Sequence, residues 1–204
     1  MKILVTGGSG RLGTELKKLY PKAFFPTRQE LNITNPKKRY PASLIIHCAG
    51  YTNVAKAEKE KDLCYNVNVR GTENMLKMYK RTPFVFISTE YAGNPINYYS
   101  LTKRVAERYV IQHPHHLIIR TLFKPRPYPF DRAWIDQFTM GDYVDVIAEL
   151  IRSEINNWDN ETSNIVYIGT GRKTIYQLAK QTNPKVKKAS IDIITNVILP
   201  RDYL

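Results

Sequence analysis

The sequence lacks many of the features that would assign it quickly. It has only two cysteines, Cys48 and Cys64, in 204 residues. That excludes a small secreted scaffold held by disulfides. No apolar run comes near the roughly 20 residues that cross a bilayer, so no membrane partner is expected. The N-terminus "MKILVTGGSG" has too short an apolar stretch for a signal-peptide core, and a cytoplasmic chain is expected. There is no internal repeat and no low-complexity linker. The histidines His47, His113, His115 and His116 have no cysteine or carboxylate at metal-ligand spacing, so no metal site is expected. Cys48, inside "LIIHCAG", reads as a small buried residue.

Acid is also scarce. Eighteen Asp and Glu face 31 Lys and Arg, a formal charge of +13. Such an excess can draw nucleic acid or a small anionic ligand, or it can be lysine on solvated helix faces. Runs such as "KAEKEKD" mix both signs and favour the last reading. No zinc-finger or aromatic RNA-platform signature is present, so nucleic acid is not expected as a partner.

What is present is a rhythm. "KILV", "SLIIHCAG", "PFVFIST" and "HLIIRTLF" are apolar runs of strand length, the longer ones continuous rather than alternating, which marks strands buried on both faces. Helical patterns lie between them: "RLGTELKKLY", the stretch from Asn53 to about Lys80, and "NYYSLTKRVAERYVIQ". "AFFP" reads as a short second strand and "LNITNP" as a turn and cap. The alternation predicts an α/β fold, a Rossmann-type doubly wound parallel sheet with helices on both faces. After Phe123 the rhythm changes. "KPRPYPFDRAW" is too proline-rich for regular structure, "YVDVIAELIRSEI" is a helix, "NIVYIGT" a strand, "TIYQLAKQT" a helix starting at Thr174, and "VILPRDYL" an extended tail. The expected organisation is a dinucleotide-binding core over 1–122. A small abridged C-terminal substrate lobe over 123–204 packs on it, and a helix and strand at about 142–168 complete the core.

"TGGSGRLG" places Gly7, Gly10 and Gly13 directly after a strand and at the opening of a helix. Glycines in that context let a helix N-terminus approach a pyrophosphate, and a dinucleotide cofactor is the expected ligand. An acid at the end of the second strand would bind a ribose 2′-hydroxyl. Here the strand end offers Thr27 and Arg28, with no acid before Glu30. Arg28, with Arg11 from the glycine loop, favours a 2′-phosphate, hence NADPH/NADP, with NADH as the alternative.

Tyr99 and Lys103 are four residues apart and share a helix face. An ammonium beside a phenol lowers the phenol pKa, which suits proton exchange with a carbonyl or alcohol oxygen. Tyr98 has no such partner. Ser88 and Thr89 end a buried strand, where ligand sites of open α/β sheets gather.

With these pieces in order, the sequence resembles the extended short-chain dehydrogenase/reductase superfamily, and within it the dTDP-4-dehydrorhamnose reductase branch. The resemblance rests on "TGGSGRLG", "LNITNP", "IIHCAGYTNVAKAE", "NVNVRGTENML", "STEY", "YSLTKRVAE", "LIIRT", "DQFTMGDYVDVIAELI", "NIVYIGTG" and "LPRDYL". It implies an NAD(P)-dependent oxidoreductase of nucleotide-sugar metabolism and dTDP-rhamnose biosynthesis, acting on a 4-keto-6-deoxy sugar nucleotide or another small carbonyl. It implies Tyr99 as the acid, Lys103 as its tuner and ribose ligand, and Thr89 as the catalytic hydroxyl. Gly7, Gly10, Arg11, Leu12, Gly13, Thr27, Arg28, Ala49, Gly50, Tyr51, Asn68 and Ser88 would surround the cofactor, with Val54, Glu90 and Phe123 toward substrate. Arg120 is read as structural, and a homodimer is compatible with the family.

The departures lie on the substrate side. The family's "STDYVFDG" is "STEYAGN" here, "NVDKAE" is "NVAKAE", and the segment after "LIIRT" is abridged. Two alternatives therefore stand beside the reductase: an epimerase or dehydratase of the same superfamily, with Glu90 as added acid or base, and a non-catalytic NADP-binding regulatory subunit.

Overall fold

The continuous apolar runs become neighbouring strands of one sheet. In the computed structural model, which describes residues 2–193 and 197–203, β1 (Ile3–Thr6) leads into α1 (Arg11–Leu19) and then β2 (Leu44–His47). The short helices α2 (Val54–Ala57) and α3 (Lys61–Tyr65) follow, and a π-helical turn over Asn66–Arg70 joins α3 to α4 (Gly71–Met78). β3 (Phe84–Thr89), α5 (Tyr98–Val110) and β4 (His116–Thr121) complete the first part. The second part holds four short strands, β5 (Phe123–Lys124), β6 (Arg132–Trp134), β7 (Phe138–Thr139) and β8 (Asp142–Tyr143). After them come α6 (Val144–Asn157), β9 (Asn164–Tyr167), β10 (Lys173–Thr174), α7 (Ile175–Lys180) and β11 (Lys187–Ala189).

The main sheet has the order β1-β2-β3-β4-β9, parallel throughout. Every residue of β2, β3 and β4 is buried, which is why their sequences do not alternate. One face packs on α1 and α6: Val5, Ile46, Val85 and Ile119 meet Leu12, Leu16, Ile147 and Ile151. The other packs on α4 and α5: Ile45, Phe84, Phe86 and Ile118 meet Met75, Tyr79, Ala106 and Val110. The helix and strand that close the sheet, α6 and β9, come from residues after 123. A third cluster, Tyr128, Ala133, Tyr143, Ile175, Leu178 and Val186, is the core of the smaller lobe.

Three details differ from the sequence expectation or refine it. "AFFP" forms no strand; Phe24 alone bridges to Leu4, because Pro26 lacks an N–H to extend the ladder. The proline-rich stretch carries β5 and the parallel β6–β11 pair at its ends. The tail runs without a ladder over 197–203, held by Phe138 N–H to the Arg201 carbonyl at 2.7 Å and Gln137 to the Pro200 carbonyl at 3.2 Å; Leu204 lies outside the described residues. α7 starts on a capping box at Thr174 as read. Among the described residues no helix is long and apolar enough to cross a membrane. The loop histidines are held by backbone: His113 contacts the Tyr79 carbonyl at 3.0 Å, and His116 the His113 carbonyl at 2.8 Å.

Candidate active site

The site gathers at the ends of β1, β2 and β3. The glycine loop turns at Gly7, whose φ is +73° and where a Cβ would lie 2.7 Å from the Ala49 nitrogen. A Cβ on Gly13 would lie 2.3 Å from the Gly7 carbonyl oxygen. Both positions are therefore closed to larger residues, and the loop is pressed against α1 and the end of β2. α1 opens on Gly10, with no side-chain cap and no acid in its first turn, so its leading N–H groups and positive dipole end are left for an anion. Arg11 is exposed at its first position. Leu12, in contrast, is a core residue packed beneath the loop. These features fit a dinucleotide diphosphate: a backbone cradle that a Cβ would fill, an uncapped helix start and a cation.

Below the loop, Thr6 and His47 end adjacent strands in register. The Thr6 hydroxyl lies 2.8 Å from His47 Nδ1, and His47 Nε2 lies 3.2 Å from the Thr72 hydroxyl. Burial pushes the His47 pKa down from 6.5 to about 3, with the Lys103 ammonium adding to the effect.

Thr89 ends β3, and its hydroxyl caps a 3₁₀ turn over Glu90–Ala92. α5 begins on an Asn97–Ser100 capping box, which fixes where Tyr99 and Lys103 emerge. The expected electrostatic pairing of these two is not realised. The Lys103 ammonium donates to the Ile87 carbonyl at 2.7 Å and stands 4.0 Å from the centre of the Phe86 ring. Burial raises the Tyr99 pKa, with Cys64 contributing, and lowers that of Lys103 to about 8. The sign for Tyr99 is thus opposite to the expectation, because desolvation outweighs a lysine that is held elsewhere. Among the described residues the Tyr99 hydroxyl has no hydrogen-bond partner.

Asn68 ties the parts together. It lies in the π-helical turn, a feature frequent at functional sites. Its Oδ1 accepts the Tyr51 N–H at 2.7 Å, and its Nδ2 donates to the Tyr51 carbonyl at 3.1 Å and to Thr102 Oγ1 at 3.0 Å. A Cβ on Gly50 would lie 3.1 Å from Asn68 Oδ1. The loop Ala49–Gly50–Tyr51 is thereby fixed to the helix carrying Tyr99. Ser88 is committed to the frame: its hydroxyl donates to Glu107 Oε1 at 2.6 Å. Arg120 holds the same carboxylate from both sides, Nε to Oε1 at 3.0 Å and Nη2 to Oε2 at 2.6 Å, in keeping with its structural reading.

The other predicted residues are more scattered. Thr27 and Arg28 are exposed, in a turn where Thr27 N–H donates to Glu30 Oε2 at 2.7 Å. Val54 is half-buried at the start of α2. Phe123 packs on the α1–α6 side of the sheet. Glu90 is only 1% exposed; Oε2 accepts the Met140 N–H at 3.2 Å, and Oε1 is buried without a partner among the described residues. Burial raises its pKa.

Sequence reasoning gave no role to His47, Thr72, Thr102, Glu107 or Lys124. The strand-end threonines were visible as residues, but which of them meet depends on sheet order. Lys124 sits next to Phe123 on β5; burial lowers its pKa, Glu90 opposes that and Arg11 adds to it.

Residues 1–123 match the model of the family described as the RmlD substrate binding domain. A dTDP-4-dehydrorhamnose reductase of Aggregatibacter actinomycetemcomitans is 28% identical over 148 residues, covering 59% of this chain and 50% of the relative. The chain spans about half the length of the curated relatives it matches. Among solved structures, a dTDP-4-dehydrorhamnose reductase of Clostridium acetobutylicum superposes with a TM-score of 0.85 at 24% identity, over all of this chain and 89% of that one. One from Bacillus anthracis, in complex with NADP, gives 0.81 at 24% identity, over all of this chain and 89% of that one. At that identity the two structures establish the fold.

Proposed function

The chain belongs to the RmlD substrate binding domain family, and on that footing we propose that it is an NADP-dependent reductase of a keto-sugar nucleotide, a 4-keto-6-deoxy sugar of the dTDP-4-dehydrorhamnose type. One observation carries the reading. The glycine cradle, strand-end Thr89 and the Tyr99–Lys103 helix stand together at one end of the parallel sheet. The NADP bound to the Bacillus anthracis relative supports the choice of cofactor.

When bound, the cofactor supplies a hydride to the carbonyl carbon. The glycine loop and Arg11 hold its diphosphate, Thr27 and Arg28 the adenosine end, and the Ala49–Tyr51 loop the inner part. Tyr99 gives its proton to the carbonyl oxygen; burial raises its pKa, which holds the proton on the phenol and works against the transfer. Lys103, with a pKa of about 8, is still charged at pH 7; to steady the phenolate, its ammonium turns from the Ile87 carbonyl that holds it in this structure. Thr89 donates to the same oxygen. Asn68 positions the loop and the helix.

A second reading, a cofactor-binding subunit without turnover, is favoured by the Lys103 ammonium being held by Ile87 rather than beside Tyr99. An epimerase or dehydratase would need Glu90 to reach substrate; its burial beneath Met140 weighs against that. The test is NADPH oxidation with keto-sugar nucleotides, using Tyr99→Phe as control. The reductase reading expects turnover that falls about 10²- to 10⁴-fold in the variant, with cofactor binding retained. Cofactor binding without turnover selects the second reading. If fluorescence titration finds neither NADPH nor NADH bound, both fall.

A further inference from the structure

The positive charge that composition leaves spread along the chain is gathered by the fold. The stretches 17–42 and 77–81 hold ten of the 31 lysines and arginines and one of the 18 acids. They are far apart in sequence and adjacent in space. Arg39 Nε donates to the Met78 carbonyl at 3.1 Å, and the backbone of Tyr40 exchanges hydrogen bonds with the Tyr79 hydroxyl at 3.1 and 2.9 Å. The loop carrying Lys37 and Lys38 is thus fastened to the end of α4, beside Lys80 and Arg81. All four of these residues are exposed.

An aromatic pair lies within this cluster. The rings of Phe24 and Tyr40 are 4.8 Å apart, and the Lys38 ammonium is 4.8 Å from the centre of Tyr40. Phe24 is 40% exposed. Its backbone is bound to β1 in both directions, Phe24 N–H to the Ile3 carbonyl and Val5 N–H to the Phe24 carbonyl, each at 2.9 Å. The ring is therefore carried on a rigid sheet edge.

We propose that this face, beyond the β1 edge of the sheet, binds single-stranded nucleic acid, with phosphates on Lys22, Lys37, Lys80 and Arg81 and a base on the Phe24–Tyr40 pair. The charge balance points to a polyanion. Lys18 and Lys77 have acid partners within their own helices, Glu15 and Glu73. Lys22, Lys37, Lys80 and Arg81 have no ion-pair partner among the described residues. The one acid, Glu30, is engaged by the Thr27 N–H. Cations left in such a cluster repel one another, and a polyanion relieves that repulsion while releasing counterions. The aromatic pair selects the kind of polyanion. Unpaired bases stack on exposed rings whatever their sequence, and a duplex hides those faces. A lipid surface would ask for several apolar side chains. In these two stretches Phe24 is the one exposed large apolar residue among those described.

The experiment is fluorescence anisotropy with a labelled 12-nucleotide single strand, its duplex, and phosphatidylserine vesicles as competitor. The wild-type protein should bind the single strand at 50 mM salt. Four phosphate contacts should cost about 50-fold in affinity on going to 200 mM salt. Phe24→Ala should weaken binding about tenfold and leave the salt slope unchanged. The double charge reversal Lys37→Glu with Lys80→Glu should weaken binding and flatten the slope. Lys37 and Lys80 are exposed, so the charge reversal should keep the melting temperature; Phe24→Ala also loses the Tyr40 contact, and its fold is checked by circular dichroism at the assay temperature. The proposal is overturned if the wild type does not bind at 50 mM salt, if Phe24→Ala binds as well as wild type, or if duplex or vesicles bind as tightly as the single strand.

Discussion

Acid should loosen this fold earlier than its carboxylates require, because of His47. The network around the ring fixes its state. The Thr72 hydroxyl donates to the Asn68 carbonyl at 2.7 Å, so it can only accept from His47, and Nε2 carries the proton. The Thr6 oxygen already accepts the Ala49 N–H at 3.2 Å and gives its own hydrogen to Nδ1. A second proton on Nδ1 would leave the Thr6 hydrogen without an acceptor and a charge in a fully buried ring. The folded pKa of about 3 lies below the ordinary 6.5, so only the unfolded chain takes up a proton between these values. The stability tied to neutral His47 is complete above pH 6.5 and is lost as pH falls toward 3. The slope is about 1.4 kcal/mol per pH unit, or about 3 kcal/mol by pH 4.5. Urea denaturation followed through Trp134 and Trp158 at pH 7.5, 5.5 and 4.5 measures it against His47→Asn, which cannot titrate. The variant should start less stable and lose about 3 kcal/mol less over that range. Equal losses in the two proteins would refute the reasoning, as would an NMR titration placing His47 near 6.5.

Three other perturbations test the site. Gly13→Ala drives a methyl into the Gly7 carbonyl, 2.3 Å away. Cofactor affinity should fall more than tenfold together with the melting temperature, and unchanged affinity would contradict the cradle. Glu107→Ala strands the buried Arg120 guanidinium and the Ser88 hydroxyl and should cost about 3–5 kcal/mol in urea denaturation; a loss under about 1 kcal/mol would mean the pair behaves as a surface one. Arg28→Ala should weaken NADPH about tenfold while sparing NADH, the size of one charge-assisted hydrogen bond. Equal effects on both cofactors would remove Arg28 from the 2′-phosphate.

The fold was legible where one residue type repeated over a whole element. "FVFIST" and "HLIIRT" could only be strands buried on both sides, and "TGGSGRLG" could only turn tightly into a helix. The helical segments opening at Asn97 and Thr174 were legible from their patterns, and the structure supplies the capping box that starts each one. "AFFP" was misread because its aromatics suit a strand while Pro26 forbids the ladder. Within the site, spacing placed Tyr99 and Lys103 on one face but could not say where the ammonium goes. That depends on the Ile87 carbonyl, which belongs to another element. His47, Thr72 and Glu107 were invisible for the same reason: their partners lie 41, 25, 13 and 19 residues away, and only strand order brings them together.

The route of the chain through the sheet has a consequence during synthesis. One face of the sheet is covered by α1 together with α6, and its last strand is β9. Of these, α6 and β9 are made after the glycine loop, α1, Thr89, Tyr99 and Lys103. The first 123 residues therefore emerge with Ile87, Ile119 and Val85 bare on one side, and they stay so until about residue 168 follows. The half of the protein that is made first cannot cover its own sheet, and until the later residues follow, that bare face is open to chaperones and proteases.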